Sequence, residues 1–310
     1  MKAMVIAGGI PQMELLRQLK ERMIETVLLD GNEKCLAREI PDKFYRVNIF
    51  DIETVKKIAV DEKVDFIITV CADQVLLVVA QVSEMLGLPC YIGYKQAQDV
   101  SDKIRMKRIF RENGIPSTRY VKLECLDMKK VVDLNYPLVI KPVDAYSSKG
   151  VRKAENEAEL LAYYNEAKAI SRSGGVIVEE FFEGEEISVD AFVLDGKAHI
   201  LSITNSEKIK NKDRFVIFRG CYPAAVSDII RKQVEDATQK IAESFGLVNS
   251  PLLVQLLHNH QRITVLEFCA RTGGNMKWLL IKNSCGVDVI TATIDITLGL
   301  VPDIAPKSTK

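Results

Sequence analysis

Leu138-Val139-Ile140-Lys141-Pro142-Val143-Asp144-Ala145-Tyr146-Ser147-Ser148-Lys149-Gly150-Val151 is an apolar strand that ends in a lysine, breaks into a small polar loop and leaves as a second strand. A lysine fixed at a strand end is a point charge suited to phosphate oxygens. A loop of Ser, Gly and other small residues lets backbone N–H groups approach those oxygens closely. A solvent-exposed hairpin with a chance lysine has the same local pattern, so the reading depends on what lies to either side.

Toward the C-terminus comes Val176-Ile177-Val178-Glu179-Glu180-Phe181-Phe182-Glu183-Gly184-Glu185-Glu186-Ile187-Ser188-Val189-Asp190, an apolar strand, an acidic–aromatic link and another strand. A run of glutamates is ordinarily a solvated face. Phe181 and Phe182 inside it are unusual for that, and the mixture can supply apolar walls and polar edges to a planar ring. Further on, Val254-Gln255-Leu256 and Val265-Leu266-Glu267-Phe268-Cys269-Ala270-Arg271-Thr272-Gly273-Gly274-Asn275 flank the polar turn 258–262. Antiparallel pairing would bring Gln255 and Glu267 to one face. Oxygen ligands there suit a hard cation such as Mg²⁺, and Arg271 lies just beyond.

Toward the N-terminus the chain alternates short apolar strands, at 3–7, 26–29, 66–70 and 89–92, with amphipathic helices at 12–21, 52–61 and 73–86. That alternation predicts a parallel sheet with helices on both faces. Asp51 and Asp73 read as N-caps of the second and third helices. Gly8-Gly9-Ile10-Pro11 is a tight strand–helix turn without the full G-x-G-x-x-G pattern, so a dinucleotide site has no support. A charged helix at 101–112 ends at Asn113-Gly114, followed by Ile115-Pro116. Between the two central stretches and after them the pattern gives strands at 118–122, 187–194, 199–204, 216–218, 252–257 and 263–268, and helices at 127–134, 229–245 and 287–298.

Composition narrows the class. Lys plus Arg and Asp plus Glu are 42 each in 310 residues, which lacks the basic excess of a general nucleic-acid binder. No apolar run approaches a membrane span, and the N-terminus reads as a short buried strand rather than a signal peptide. Seven cysteines without a C-x-x-C pair fit reduced thiols in the cytoplasm. His258-Asn259-His260 has no third ligand nearby in sequence. Lys208, Lys210, Lys212, Arg214 and Arg219 form a basic loop, either a solvated face or a source of one arginine for the site. No Ser–His–Asp or Cys–His spacing supports covalent catalysis.

Taken in order, these stretches resemble the ATP-grasp superfamily, which includes D-alanine–D-alanine ligase, biotin carboxylase and the large chain of carbamoyl-phosphate synthase. Segment 267–275 is a variant nearest to the carbamoyl-phosphate-synthase-like ligases. The resemblance implies an α/β fold: an N-terminal Rossmann-like (pre-ATP-grasp) domain over 1–100, then a two-lobed α+β ATP-grasp domain over 101–310. Its small lobe would span about 115–185 and its large lobe about 186–310.

The resemblance also assigns roles. Lys103 and Lys141 are the nucleotide lysines, and Ser147, Ser148 and Gly150 belong to the phosphate-covering loop, which runs from Tyr146 to Val151. Glu179 accepts from the adenine amino group, with Glu180, Phe181 and Phe182 along the ring edge, and Glu186 binds the ribose. Gln255 and Glu267 hold Mg²⁺ or Mn²⁺, Cys269 stands where the signature has Asn, and Ala270 replaces its Pro. Arg271 is the signature arginine and, with Lys141, the catalytic cation. The implied activity is an ATP-dependent carboxylate–amine or carboxylate–thiol ligase, working through an acyl phosphate on small-molecule carboxylate and amine substrates, as a cytoplasmic homodimer. An ATP-grasp kinase, an ATP-binding subunit of a synthase and a non-catalytic nucleotide sensor are the alternatives.

Overall fold

The structure, a computed structural model, describes residues 1–145, 149–171, 173–209, 215–274 and 276–307. Four short strands, β1 (Lys2–Ile6), β2 (Glu25–Asp30), β3 (Lys43–Arg46) and β4 (Phe66–Ile68), form a parallel sheet in the order β3-β2-β1-β4. Side chains alternate across β1. Ala3 and Val5 therefore meet Leu15, Leu16 and Leu19 of helix α1 (Ile10–Glu21) on one face. Met4 and Ile6 meet Val55 and Ile58 of α2 (Ile52–Glu62) and Val75, Val78 and Val79 of α3 (Asp73–Leu86) on the other.

Two details differ from the sequence reading here. No strand forms at 89–92; the segment passes irregularly into α4 (Tyr94–Ser101). Pro89 has no N–H to give a ladder, while Ile92 is buried in a core and the Tyr91 hydroxyl donates to the Ala270 carbonyl at 3.0 Å. Conversely, β3 forms although its sequence, Lys43-Phe44-Tyr45-Arg46, lacks an apolar run, because it is an edge strand paired on one side only. Asp51 caps α2 by accepting from the Thr54 N–H. Asp73 does not cap α3: the N-cap position is Ala72, and the Asp73 carboxylate is engaged elsewhere.

The charged helix expected at 101–112 forms as α5 (Lys103–Glu112), and the sequence reading had no helix at α4 before it. Asp102 ends α4 and caps α5 by accepting from the Ile104 and Arg105 N–H groups. Next come β5 (Tyr120–Leu123), α6 (Met128–Val131), β6 (Leu138–Pro142), β7 (Arg152–Ala154), α7 (Glu157–Ile170) and β8 (Val176–Glu180). The strands pair antiparallel in the order β5-β8-β6-β7, with α7 packed on one face through Leu160, Tyr164 and Ala167.

A larger antiparallel sheet completes the chain: β9 (Glu185–Leu194), β10 (Lys197–Lys208), β11 (Ile217–Cys221), β12 (Ser250–His258) and β13 (Ile263–Cys269), in the order β11-β10-β9-β12-β13. Helix α8 (Asp228–Ser244) lies between β11 and β12 in sequence. Helices α9 (Lys277–Cys285) and α10 (Val289–Thr297) follow β13; α9 has no counterpart in the sequence reading. Ile281 of α9 and Ile290 and Ile294 of α10 enter the same core as Ala3, Val5, Leu15 and Phe192, so the parallel sheet and the large antiparallel sheet share an interior. Among the described residues no helix is long and apolar enough to cross a membrane.

Candidate active site

A cavity of about 830 Å³ opens between the small and large antiparallel sheets. It is walled by residues from β6, β8, β9, β10, β12, β13 and the start of α5. Lys103, Lys141, Glu179, Glu180, Phe181, Phe182, Glu186 and Glu267 all line it. Residues far apart in sequence thus meet because strand ends of two sheets face one another. The walls are otherwise apolar, with Val139, Pro142, Val151, Phe215, Leu257 and Leu266, the mixture expected of a small-molecule site.

A buried ionic cluster sits at the seam between α5 and β8. One Glu179 carboxylate oxygen takes Lys141 Nζ at 2.6 Å, and the other takes Lys107 Nζ at 2.7 Å and the Thr118 hydroxyl at 3.0 Å. Burial alone would raise the Glu179 pKa, but the Lys107 and Lys141 charges hold it down to about 2. Burial pushes Lys107 below its ordinary value despite the same carboxylate. Glu179 is ionised, and its single charge is shared by the two lysines. Sequence reading gave Glu179 to an adenine amino group; here both its oxygens are occupied by the lysines and Thr118. Lys107 was not singled out in the sequence, although it follows Lys103 by one helical turn and so shares its face.

Glu180 points outward, held by Arg119 Nε at 3.1 Å and the Asn135 backbone N–H at 2.9 Å. The Phe181 N–H donates to the Pro137 carbonyl at 2.9 Å. The Phe181 ring lies 6.3 Å from Phe215, with Lys153 Nζ 4.3 Å above Phe181 and Lys208 Nζ 5.1 Å above Phe215. Lys208 also pairs with Glu186 at 2.6 Å.

Gln255 and Glu267 are direct cross-strand partners, as antiparallel pairing required. A β-bulge at Leu266 follows, since Leu256 pairs with Val265. The extra residue turns both Leu266 and Glu267 into the cavity, as bulges beside sites often do. Lys103 Nζ stands 2.9 Å from Glu267. Burial opposes ionisation of Glu267, but the Lys103 charge keeps its pKa below the ordinary value. The Gln255 amide donates to Glu186 at 3.4 Å, leaving its oxygen as the end able to meet a cation. Burial drives the Cys269 thiol well above its usual pKa. A neutral thiol is a poor ligand for a hard ion, so Cys269 would not join Glu267 in holding magnesium or manganese, and Gln255 is not among the residues that line the cavity.

Arg271 is not on this cavity. Its guanidinium forms a two-pronged pair with Asp73 of α3, through Nε and through Nη2 at 2.7 Å, and Nη1 donates to the Thr272 carbonyl at 2.9 Å. It lines a second cavity, of about 450 Å³, that shares Lys103 and Glu267 with the first. Beyond it, the Gly273 N–H donates to the buried Asp190 at 2.8 Å, and a Cβ at Gly273 would lie 2.6 Å from that carboxylate oxygen. Lys277 completes the group, 3.7 Å from Asp190 and bonded to Thr204.

Ser147, Ser148, Arg214 and Asn275 lie outside the described residues, as do Tyr146, Lys210 and Lys212. Gly150 sits on the return turn at φ +74°, where a Cβ would meet Ile170 at 2.9 Å; its neighbours Lys149 and Val151 line the cavity. Arg219 is exposed and paired with Glu207 at 2.7 Å, within the hairpin rather than in the site. Thr118, Lys149 and Lys208 line the cavity without having been proposed as ligands. A lone Thr or Lys carries no pattern that would mark it in sequence.

Residues 134–278 match the family model of the ATP-grasp domain. It is similar to carbamoyl-phosphate synthase of Methanobrevibacter smithii, 23% identical over 93% of this chain and 79% of that protein. It is 28% identical to the formate-dependent phosphoribosylglycinamide formyltransferase of Sulfurisphaera tokodaii over 82% of this chain, a match that spans 66% of the relative's length. Its fold matches the biotin carboxylase domain of Hydrogenobacter thermophilus 2-oxoglutarate carboxylase, solved with MgADP and bicarbonate, at TM-score 0.84 and 18% identity over 98% of this chain and 71% of that one.

Proposed function

We propose that this chain is an ATP-dependent ligase that activates a carboxylate as an acyl phosphate and passes the acyl group to an amine or thiol, converting ATP to ADP and phosphate. The observation that carries the reading is the single cavity on which Lys103, Lys141, Glu186 and Glu267 converge from four separate elements with an aromatic wall beside them. ATP-grasp relatives named for carboxylate and amine chemistry support it.

In this reading the base packs against Phe181 and Phe182, and Glu186 takes the ribose hydroxyls once Lys208 swings aside. Lys141 and Lys103 give charge-assisted contacts to phosphate oxygens. Glu267 would hold magnesium or manganese. The bound ion would supply further charge stabilisation to the phosphates. None of the cavity residues is placed as a nucleophile, so the attacking oxygen belongs to the substrate. The protein contributes positioning, electrostatic stabilisation as charge moves off the γ-phosphoryl, and exclusion of water from the acyl phosphate. Residues 1–100 then act as an accessory part and 101–310 as the catalytic part.

Hydroxylamine trapping tests this. With a substrate acid, ATP and magnesium, hydroxamate should accumulate in step with ADP. Lys141→Ala should weaken ATP binding at least about tenfold, the cost of one charge-assisted contact. Glu267→Gln should stop turnover. ADP formed with a stable phosphorylated alcohol and no hydroxamate would replace the ligase with a kinase.

A further inference from the structure

The described residues that wall the larger cavity bring four lysines and four glutamates. Three of those lysines already sit on three of those glutamates: Lys103 on Glu267, Lys141 on Glu179 and Lys208 on Glu186. A polyphosphate carries several negative charges, and a wall that sums to zero has no excess to meet them. Two cations stand just behind the wall. Arg119, on Glu180, is 56% exposed, so solvent screens it. Lys107 is different: it does not line the cavity, and its side chain is 2% exposed. It holds one Glu179 oxygen at 2.7 Å while Lys141 holds the other at 2.6 Å. The Ser117 hydroxyl at 2.9 Å and the Thr118 hydroxyl at 3.2 Å also accept from it. Charges away from water act on one another far more strongly than exposed ones. Lys141 and Glu179 alone would cancel. With Lys107 the three groups sum to one positive charge, and Lys141 is the cation of the three that faces the cavity.

We infer that Lys107 is a positioning residue for the nucleotide: by neutralising Glu179 from behind the wall, it leaves Lys141 a whole positive charge to give to a phosphate oxygen. The inference rests on the reading of this cavity as a triphosphate site. It assigns a role in binding to a side chain that never touches the ligand. It also accounts for the burial of a lysine on a charged helix whose other lysine, Lys103, lines the cavity one turn earlier.

Calorimetric titration of the full chain with ATP and with inorganic tripolyphosphate tests it. Lys107→Met keeps a flexible apolar side chain in the same space and removes the charge. Affinity for both ligands should fall at least about tenfold, the worth of one charge-assisted contact, although Lys107 touches neither. Adding Glu179→Gln removes the carboxylate that would then cancel Lys141. The double variant, Lys107→Met with Glu179→Gln, should therefore regain most of the lost affinity. A residue that only props the fold would behave in the opposite way, since a second buried substitution would deepen the loss. Thermal melting identifies the folded variants. The double variant buries fewer ions, so if Lys107→Met alone does not fold, near-parental binding by the double variant supports the inference and weak binding overturns it. Full affinity in folded Lys107→Met would overturn it, and so would a double variant that binds more weakly than the single one. A parent chain that takes tripolyphosphate but not ATP, with the same response to both substitutions, would sink the nucleotide reading and leave the role of Lys107 standing. A parent chain that takes neither overturns both.

Discussion

The small antiparallel sheet and the rest of the molecule are built on different plans. Strands β5 to β8 and helices α6 and α7 close around a core of their own, in which Leu123, Leu138, Ile140, Leu160, Val176 and Val178 meet one another. The parallel sheet and the large antiparallel sheet do not separate in this way. One core joins Ala3, Leu15 and Phe66 to Phe192, Trp278 and Ile290; another joins Leu76, Val100 and Phe110 to Val189, Val254 and Phe268. What fastens the small lobe to its neighbour α5 includes a buried ionic seam, Glu179 between Lys107 and Lys141. Apolar cores resist separation without regard to pH, whereas an ionic seam can be unmade by one proton or one substitution. The larger cavity lies at the boundary between a self-contained lobe and a fused platform.

The sharpest way to break this comparison is Glu179→Ala. It leaves two buried ammonium groups facing each other, and the loss of one partner from a buried ion network costs about 3–5 kcal/mol. Denaturant titration should show that loss, together with collapse of ATP affinity. A variant as stable as the parent would mean that the seam does not hold the lobe.

A pair of cavity-making substitutions comes next. Leu160 and Ile290 are both fully buried, so Leu160→Ala and Ile290→Ala should each cost about 2–5 kcal/mol. Their reach should differ. By hydrogen exchange, Leu160→Ala should deprotect β6 and β8 alone, while Ile290→Ala should deprotect β1 and β9 together. Equal spread from both positions would erase the distinction between lobe and platform.

Acid should act on the seam with a definite sign. The folded pKa of Glu179 is depressed to about 2 from an ordinary 4.5. Its contribution is therefore fully present above the ordinary value and disappears as pH falls from there toward about 2. The amount at stake is on the order of 3 kcal/mol. Glu179→Gln should flatten that part of the stability–pH curve; an unchanged slope would assign acid sensitivity to other carboxylates.

Arg119→Ala should do least. Its pair with Glu180 crosses the mouth of the same lobe, but Arg119 is 56% exposed, and exposed pairs contribute about 1 kcal/mol or less. A larger effect by thermal melting would show that Glu180 anchors the 181–184 link as well.

Much of this was legible in one dimension. Gln255 and Glu267 could be paired across a hairpin because strand alternation and a short turn leave few registers, and the helices α1, α2, α3 and α8 followed from apolar periodicity. The second lysine was marked by its place at the end of an apolar strand. Lys107 was not, because a lysine in a charged helix looks solvated until Glu179 arrives from a strand remote in sequence. Arg271 was expected at the nucleotide site, but it lies off the main cavity and its partner was not foreseen: Asp73 has the position of a helix cap, and only the packing of α3 beside β13 diverts it. The strand expected at 89–92 did not form because Tyr91 and Ile92 are engaged by remote elements, the Ala270 carbonyl and a core, which apolar composition does not show.

The sequence by itself determined most of the strands and helices and the order of charged groups along the chain; these depend largely on contacts within a turn or a hairpin. Only the tertiary structure decided which charges became partners. Lys107 with Glu179, Lys103 with Glu267 and Arg271 with Asp73 are matched by the meeting of separate elements. A buried charge takes its counter-ion from whatever lies across the interface, and that choice is made by packing rather than by spacing.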